Sequence, residues 1–173
     1  WASTFHSACV RILRRDIDRL GFDKDFTIYD TDDSRRVAKD VLKELNLDDK
    51  TFPPKSVLSV ISAAKDQYQG PEDFAKKHDA ESDWRMSRIA KVYRAYQRKL
   101  ASANALDFDD IIYHTVTLLK QEPEVLEYYQ RKFRYVLVDE YQDTNHLQYL
   151  LTSLLAGGRR NLCVVGDDDQ SIY

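Results

Sequence analysis

The stretch RYVLVDEYQDTN, residues 134–145, joins an apolar run to a cluster of polar side chains. Its YVLV segment has the composition of a strand that is buried on both faces, as strands of parallel sheets are. Asp139 and Glu140 come directly after it. The stretch therefore predicts a buried strand whose end carries two adjacent carboxylates.

A second strand is predicted at 161–165, where NLCVV leads into a glycine and three aspartates. Between the two strands, leucines recur at helical spacing after Asn145, which is a predicted N-cap, and two glycines follow them. Strand, helix and strand within roughly 35 residues predict a βαβ unit with parallel strands.

The part of the chain before this unit has the spacing of helices. Apolar side chains recur every three or four residues, and the whole chain has only five glycines and four prolines. The fold class predicted is α/β overall and predominantly α. The predicted helices are 4–20 with a stop at Gly21, a helix capped by Asp30, one opened by Pro53-Pro54 and ended before the break at Gly70-Pro71, 82–103, a helix capped by Asp107, and one from Pro123 to 130.

Composition and charge exclude several classes of protein. The net charge is -3, so any nucleic-acid site must be a local patch rather than a field over the whole chain. No apolar run approaches the ~18 residues of a membrane span, so no membrane partner is expected. Cys9 and Cys163 cannot form a disulfide framework, which predicts a reducing, cytoplasmic location. His6 and Cys9 have ligand-like spacing, but no second pair completes a zinc site.

Both predicted strands of the βαβ unit end in carboxylates. Asp139-Glu140 follow the first strand and the aspartates of 167–169 follow the second. Ligands of parallel sheets bind beyond the carboxyl ends of the strands, and clustered carboxylates repel each other unless a cation separates them. A magnesium ion that bridges nucleotide phosphates fits this pattern. The alternative is that these are solvated loop residues, which the pairing of two such strand ends disfavours.

Three segments resemble motifs of one family, the superfamily 1 DNA helicases. VLVDEYQDTN (136–145) resembles the family's Walker B motif, VVGDDDQSIY (164–173) resembles the motif that follows it, and TFHS (4–7) resembles an earlier one. Their order and spacing, with an all-helical insertion after TFHS, are most similar to the UvrD/PcrA/Rep group. The resemblance implies a partial RecA-like (P-loop NTPase) parallel sheet. The divisions predicted are 1–7 from the first RecA-like domain, 8–130 as a helical insertion subdomain and 131–173 as the RecA-like βαβ fragment.

The resemblance also implies roles in binding and hydrolysing ATP with Mg²⁺. Asp139 would bind the magnesium ion and Glu140 would activate the water that attacks the γ-phosphate. Gln142 and Asp143 would link the nucleotide site to neighbouring motifs. Gln170 would sense the γ-phosphate, since an amide both donates to a phosphate oxygen and orients water.

A second set of residues would contact single-stranded DNA. Tyr173 would stack on a base, which is worth ~1–3 kcal/mol and tolerates any sequence. Phe5 and His6 would lie along the strand, with His6 and Ser7 or Thr4 near a phosphate. Each residue also has a structural alternative: Phe5 in the core, His6 packed at a helix start and Tyr173 without a partner.

The family needs a glycine-rich loop that ends in Gly-Lys to cradle the phosphates, and no Gly-Lys pair occurs here. In the family this loop comes before TFHS, and a second RecA-like domain comes after the segment like 164–173. The 173-residue piece is therefore expected to hydrolyse no ATP alone. The activity expected of the whole protein is that of a 3′-5′ DNA helicase on single strands and junctions, with the Walker A segment and second RecA-like domain as partners in the chain.

The helical insertion has two candidate basic faces for DNA phosphates. The alternative is that they are solvated faces interlaced with carboxylates. A non-catalytic helical module that binds DNA or protein remains the second hypothesis, and another nucleotide-driven enzyme with a βαβ core the third, against which TFHS and GDDDQSIY argue. The basic residues are Arg11, Arg14, Arg15 and Arg19 on the first helix and Arg88, Lys91, Arg94, Arg98 and Lys99 on the long one.

Overall fold

The computed structural model describes residues 5–78, 83–132, 136–138, 146–157 and 162–164 of the 173-residue chain. Eight α-helices, one 3-10 turn (Ile17–Leu20) and four short strands lie in these ranges. The helices are α1 Phe5–Asp16, α2 Thr31–Glu44, α3 Pro54–Asp66, α4 Pro71–Lys77, α5 Trp84–Ser102, α6 Phe108–Gln121, α7 Pro123–Lys132 and α8 His146–Ala156. The strands are β1 Thr27–Ile28, β2 Ala105–Leu106, β3 Val136–Val138 and β4 Leu162–Val164.

Local sequence sets the ends of the first two helices. Gly21 has a φ of 91°, the left-handed region that favours glycine, and it ends the 3-10 turn that follows α1. Asp30 caps α2, because its carboxylate accepts from the Asp33 N–H at 2.8 Å while the Asp33 carboxylate accepts from the Asp30 N–H at 3.2 Å. The predicted stop and the predicted cap are both confirmed.

Three helices begin at prolines, where the missing N–H is not needed. Pro54 opens α3, Pro71 opens α4 and Pro123 opens α7. The long helix predicted at 82–103 is α5, which agrees within two residues. The predicted α/β class with a predominance of helix is confirmed.

Contacts divide the chain into two units, Asp25–Asp109 and the combination of Trp1–Lys24 with Asp110–Tyr173. We call them the insertion unit and the strand unit. The contacts thus place α1 and α7 in the same unit as β3 and β4. The subdomain divisions at 7/8 and 130/131 stay a prediction.

The insertion unit is built around α5, against which α2, α3 and α4 pack. Tyr93, Tyr96 and Leu100 of α5 are fully buried in its core. Its two strands pair in parallel, with Thr27 opposite Ala105 and Ile28 opposite Leu106. Strand β1 lies within FTIYD (26–30), whose sequence is that of a short extended piece or a loop, whereas β2 was not predicted because two residues carry no periodicity.

The strand unit contains the βαβ arrangement that the sequence predicted. β3 and β4 are parallel, with Val136 opposite Leu162 and Val138 opposite Val164. Helix α8 connects them along the chain and buries Leu147. No helix in the described ranges has the length and apolar character that would let it cross a bilayer.

Candidate nucleotide and nucleic-acid sites

The register of β3 and β4 defines the edge at which a nucleotide site is predicted. Val138 and Val164 are partners at the carboxyl ends of two parallel strands. Asp139 is the next residue after Val138 in the sequence, and the three aspartates begin three residues after Val164. In parallel sheets this edge is where ligands bind.

Seven of the ten predicted site residues lie outside the described residues, and their roles stay predictions. These are Thr4, Asp139, Glu140, Gln142, Asp143, Gln170 and Tyr173. The other three predicted residues, Phe5, His6 and Ser7, are described.

Phe5, His6 and Ser7 together form the first turn of α1. Ser7 is exposed, and Phe5 and His6 are half-buried. Burial lowers the pKa of His6, so its imidazole is neutral at neutral pH. A neutral imidazole donates one hydrogen bond and accepts one, and so His6 acts as a polar rather than a charged group.

Cys9 lies one turn further along α1 and is fully buried. Burial raises the pKa of its thiol to about 12, and a hydrogen bond with Thr115 partly opposes this. Metals bind the thiolate, which is absent at neutral pH with such a pKa. Within the described part of the chain, no three His, Cys, Asp or Glu side chains are grouped as metal ligands.

Two of the four candidate basic residues on the first predicted helix, Arg15 of α1 and Arg19 of the 3-10 turn, are engaged with their own unit. Arg15 contacts the Asp16 carboxylate at 2.6 Å and lies 4.0 Å from the centre of the Tyr128 ring. Arg19 pairs with Glu122 at 2.9 Å and also with Glu124. For these two arginines, the structure favours a solvated surface of paired charges over a DNA-binding face.

The cations of the candidate basic face on α5 have different partners along the helix. Arg94 makes two hydrogen bonds of 2.8 Å with Glu72, and Lys99 pairs with Glu44. By contrast, Arg88 is exposed and donates to the Trp84 carbonyl at 3.4 Å. Lys91 is exposed as well.

The insertion unit contains a buried ion pair that the sequence did not predict. Lys65 Nζ lies 2.6 Å from Asp107 Oδ2, and the Tyr96 hydroxyl donates to the same oxygen at 2.9 Å. The side chains of Lys65 and Asp107 are 1% and 9% exposed. The sequence did offer one signal for this pair. Lys65 directly follows the apolar residues of α3, and a charge buried at such a position needs a partner.

A pocket of about 270 Å³ opens beside this ion pair. Its wall includes Tyr96, Asp107, the exposed Phe108 and the half-buried Asp109. Burial, and to a smaller extent the nearby Asp107 carboxylate, raise the pKa of Asp109 to about 6. Asp109 therefore takes up a proton in a range where most carboxylates stay ionised.

The whole chain, residues 1–173, matches the family model described as the UvrD/REP helicase N-terminal domain. The chain therefore belongs to this family, and the predicted UvrD/PcrA/Rep relationship is confirmed. Relatives named "ATP-dependent DNA helicase PcrA" are similar along the entire chain. Identity is 54% to that of Staphylococcus epidermidis, 55% to that of Bacillus subtilis and 54% to that of Staphylococcus aureus. The chain spans 23% of the length of each of these relatives.

Proposed function

We propose that this chain is part of an ATP-dependent DNA helicase that binds single-stranded DNA and duplex/single-strand junctions, moves 3′ to 5′ along the single strand and unwinds duplexes. The observation that carries the proposal is the parallel register of β3 and β4, whose carboxyl ends are followed in the sequence by the two acidic motifs. Family membership over all 173 residues and relatives named as DNA helicases support it.

The proposed nucleotide site is completed by residues after the two strands. Asp139 would hold the magnesium ion of Mg-ATP, and the ion would neutralise phosphate charge. Glu140 orients and polarises the attacking water. Gln170 contacts the γ-phosphate, and Gln142 and Asp143 connect this site to neighbouring motifs.

The proposed single-strand site is formed by the first turn of α1 and by Tyr173. Tyr173 stacks on a base, and Thr4 or Ser7 hydrogen-bonds a phosphate. Phe5 and His6 lie along the strand. The exposure of Ser7 and the neutral state of His6 support hydrogen bonding rather than ion pairing by this turn.

The site requires parts beyond these 173 residues. The 173 residues contain no Gly-Lys pair, so they do not include the glycine-rich loop that cradles the phosphates. We infer that a Walker A segment and a second RecA-like domain of the same polypeptide complete the site. The isolated 173-residue chain then hydrolyses no ATP, and a magnesium-dependent ATPase activity of the purified chain that Glu140→Gln abolishes would contradict this.

Strand-separation assays on the intact protein that contains these residues test the proposal. Duplexes with a 3′ tail, a 5′ tail or blunt ends are incubated with Mg-ATP, with ADP as the control nucleotide. We expect the 3′-tailed duplex to be unwound with Mg-ATP and not with ADP. DNA binding without ATP hydrolysis would instead support the non-catalytic module, which the basic surface of α5 also allows.

A further inference from the structure

Helix α5 is the most positively charged element of the insertion unit. Its 19 residues contain six Lys or Arg and no Asp or Glu, within a chain of net charge -3. A helix of this composition concentrates positive potential on one surface. The six cations are Arg85, Arg88, Lys91, Arg94, Arg98 and Lys99.

Carboxylates from neighbouring helices pair with two of the three cations in the C-terminal half of α5, Arg94 and Lys99. Glu72 and Arg94 form a two-hydrogen-bond pair, which raises the pKa of Arg94 and lowers that of Glu72. Glu44 likewise pairs with Lys99 and raises its pKa. These two cations are therefore engaged within the protein.

The N-terminal half of α5 has cations with different partners. Arg85 donates to the Thr51 carbonyl at 2.6 Å and lies 5.0 Å from the Phe52 ring centre. Arg88 lies 5.1 Å from the Trp84 ring centre. Within the part of the chain that the structure describes, neither Arg88 nor Lys91 has a carboxylate at ion-pair distance.

A large aromatic side chain stands at the start of the same exposed stripe. Trp84 is 51% exposed, and Phe52 supports its ring edge-on at a centroid distance of 5.9 Å. Positions 84, 88 and 91 follow the four- and three-residue steps that share a helix face. Trp84, Arg88 and Lys91 together form what we call the Trp84 face.

We propose that the Trp84 face binds a single-stranded DNA arm at the fork, separate from the single-strand site proposed for α1 and Tyr173. Trp84 stacks on an unpaired base, while Arg88 and Lys91 contact the flanking phosphates. This proposal rests on the helicase function proposed above. It adds a second DNA-binding surface to it.

The chemistry of the Trp84 face favours a single strand over a duplex. Seven helical steps separate Trp84 from Lys91, a rise of about 10 Å. Stacking on a side chain needs an exposed base face, and bases inside a duplex already stack on each other. A duplex would use the cations and leave Trp84 without a role.

A fork with two single-stranded arms tests the proposal in the intact protein. The affinity for this fork is compared with that for the same duplex carrying only the 3′ arm, so that the difference reports the second arm. We expect Arg88→Gln/Lys91→Gln to remove the extra affinity that the second arm provides. The slope of log affinity for the fork against log salt concentration should fall in magnitude by about 1.4. Trp84→Ala should reduce the gain at least about fivefold, whereas Trp84→Phe should retain most of it.

The matched control is Arg94→Gln/Lys99→Gln, which removes the same charge from the paired half of α5. Equal losses in the two double variants, or no loss in Trp84→Ala, would overturn the proposal. A loss seen equally with a duplex second arm would also overturn it, in favour of a duplex surface. Single-strand-stimulated ATP hydrolysis should stay unchanged in all variants. If the wild type neither hydrolyses ATP nor binds the 3′-tailed duplex, the proposed function fails instead.

Discussion

At the scale of single residues, the insertion unit depends on one buried pair of opposite charges, Lys65 and Asp107. Lys65 is fully buried, and its ammonium group has the Asp107 carboxylate at 2.6 Å and the Tyr96 ring centre at 5.3 Å. Two charges removed from water cost several kcal/mol each, and only their mutual attraction and hydrogen bonds offset this cost. Removing one partner therefore leaves the other as an uncompensated buried charge.

We predict that Lys65→Met lowers the free energy of unfolding by about 3–5 kcal/mol, because Asp107 loses its counter-charge. The double variant Lys65→Met/Asp107→Asn should recover part of the loss, since its buried groups are neutral. Urea unfolding measures both effects. A loss below about 1 kcal/mol in the single variant would mean that the pair is solvated.

Asp109 gives the insertion unit a stability that depends on pH. Its folded pKa of about 6 lies above its ordinary value of 3.8, with burial as the main cause. Between these values the folded chain holds a proton that the unfolded chain has released. The resulting stabilisation is therefore complete below pH 3.8 and is lost as the pH rises through 6.

Asp109→Asn should consequently stabilise the protein above pH 6, by about 1–2 kcal/mol after allowance for solvent screening. The amide avoids the cost of ionising a buried carboxylate and still accepts from Ser62, which hydrogen-bonds Asp109. The advantage over the wild type should shrink toward pH 4 in unfolding curves recorded across this range. A difference that does not change with pH would contradict the raised pKa.

At the scale of elements, helix α5 begins at a side-chain cap. Asp83 Oδ1 accepts from the Met86 N–H at 3.3 Å. Asp83→Ala should therefore lower the free energy of unfolding by about 1 kcal/mol, and Asp83→Ser should restore most of it. Thermal unfolding of the three proteins measures this. An unchanged midpoint in Asp83→Ala would show that the cap contributes nothing to the start of the Trp84 face.

The elements that the sequence predicted are those with local signals. Asp30 with Asp33 marked the start of α2, prolines marked α3 and α7, and Gly21 marked the end of the 3-10 turn. Strand β2 has two residues, and its pairing with β1 joins positions about 78 apart, a contact that no local pattern encodes. Which cations of α5 form ion pairs likewise depends on Glu72 and Glu44, because only the folded structure places these carboxylates next to Arg94 and Lys99.

At the scale of the whole molecule, the sequence predicts where the proposed nucleotide site lies, because parallel strands place their following residues at one edge. The register of Val138 with Val164 supports that part of the prediction. The buried Lys65–Asp107 pair and the Trp84 face were not identified as sites, because burial and neighbouring charges decide their character. The proposed function therefore combines a nucleotide site inferred from sequence motifs with a DNA-binding surface inferred from the tertiary structure.

The central claim is that Glu140 activates the water that attacks ATP. The most direct measurement is magnesium-dependent ATP hydrolysis by the intact protein with single-stranded DNA, with ATP binding measured in parallel. Glu140→Gln should lower turnover at least about 100-fold and leave ATP binding intact, because Asp139 is unchanged. The control Glu127→Gln, at an exposed glutamate of α7, should hydrolyse ATP like the wild type. Turnover by Glu140→Gln within a few-fold of the wild type would contradict the account.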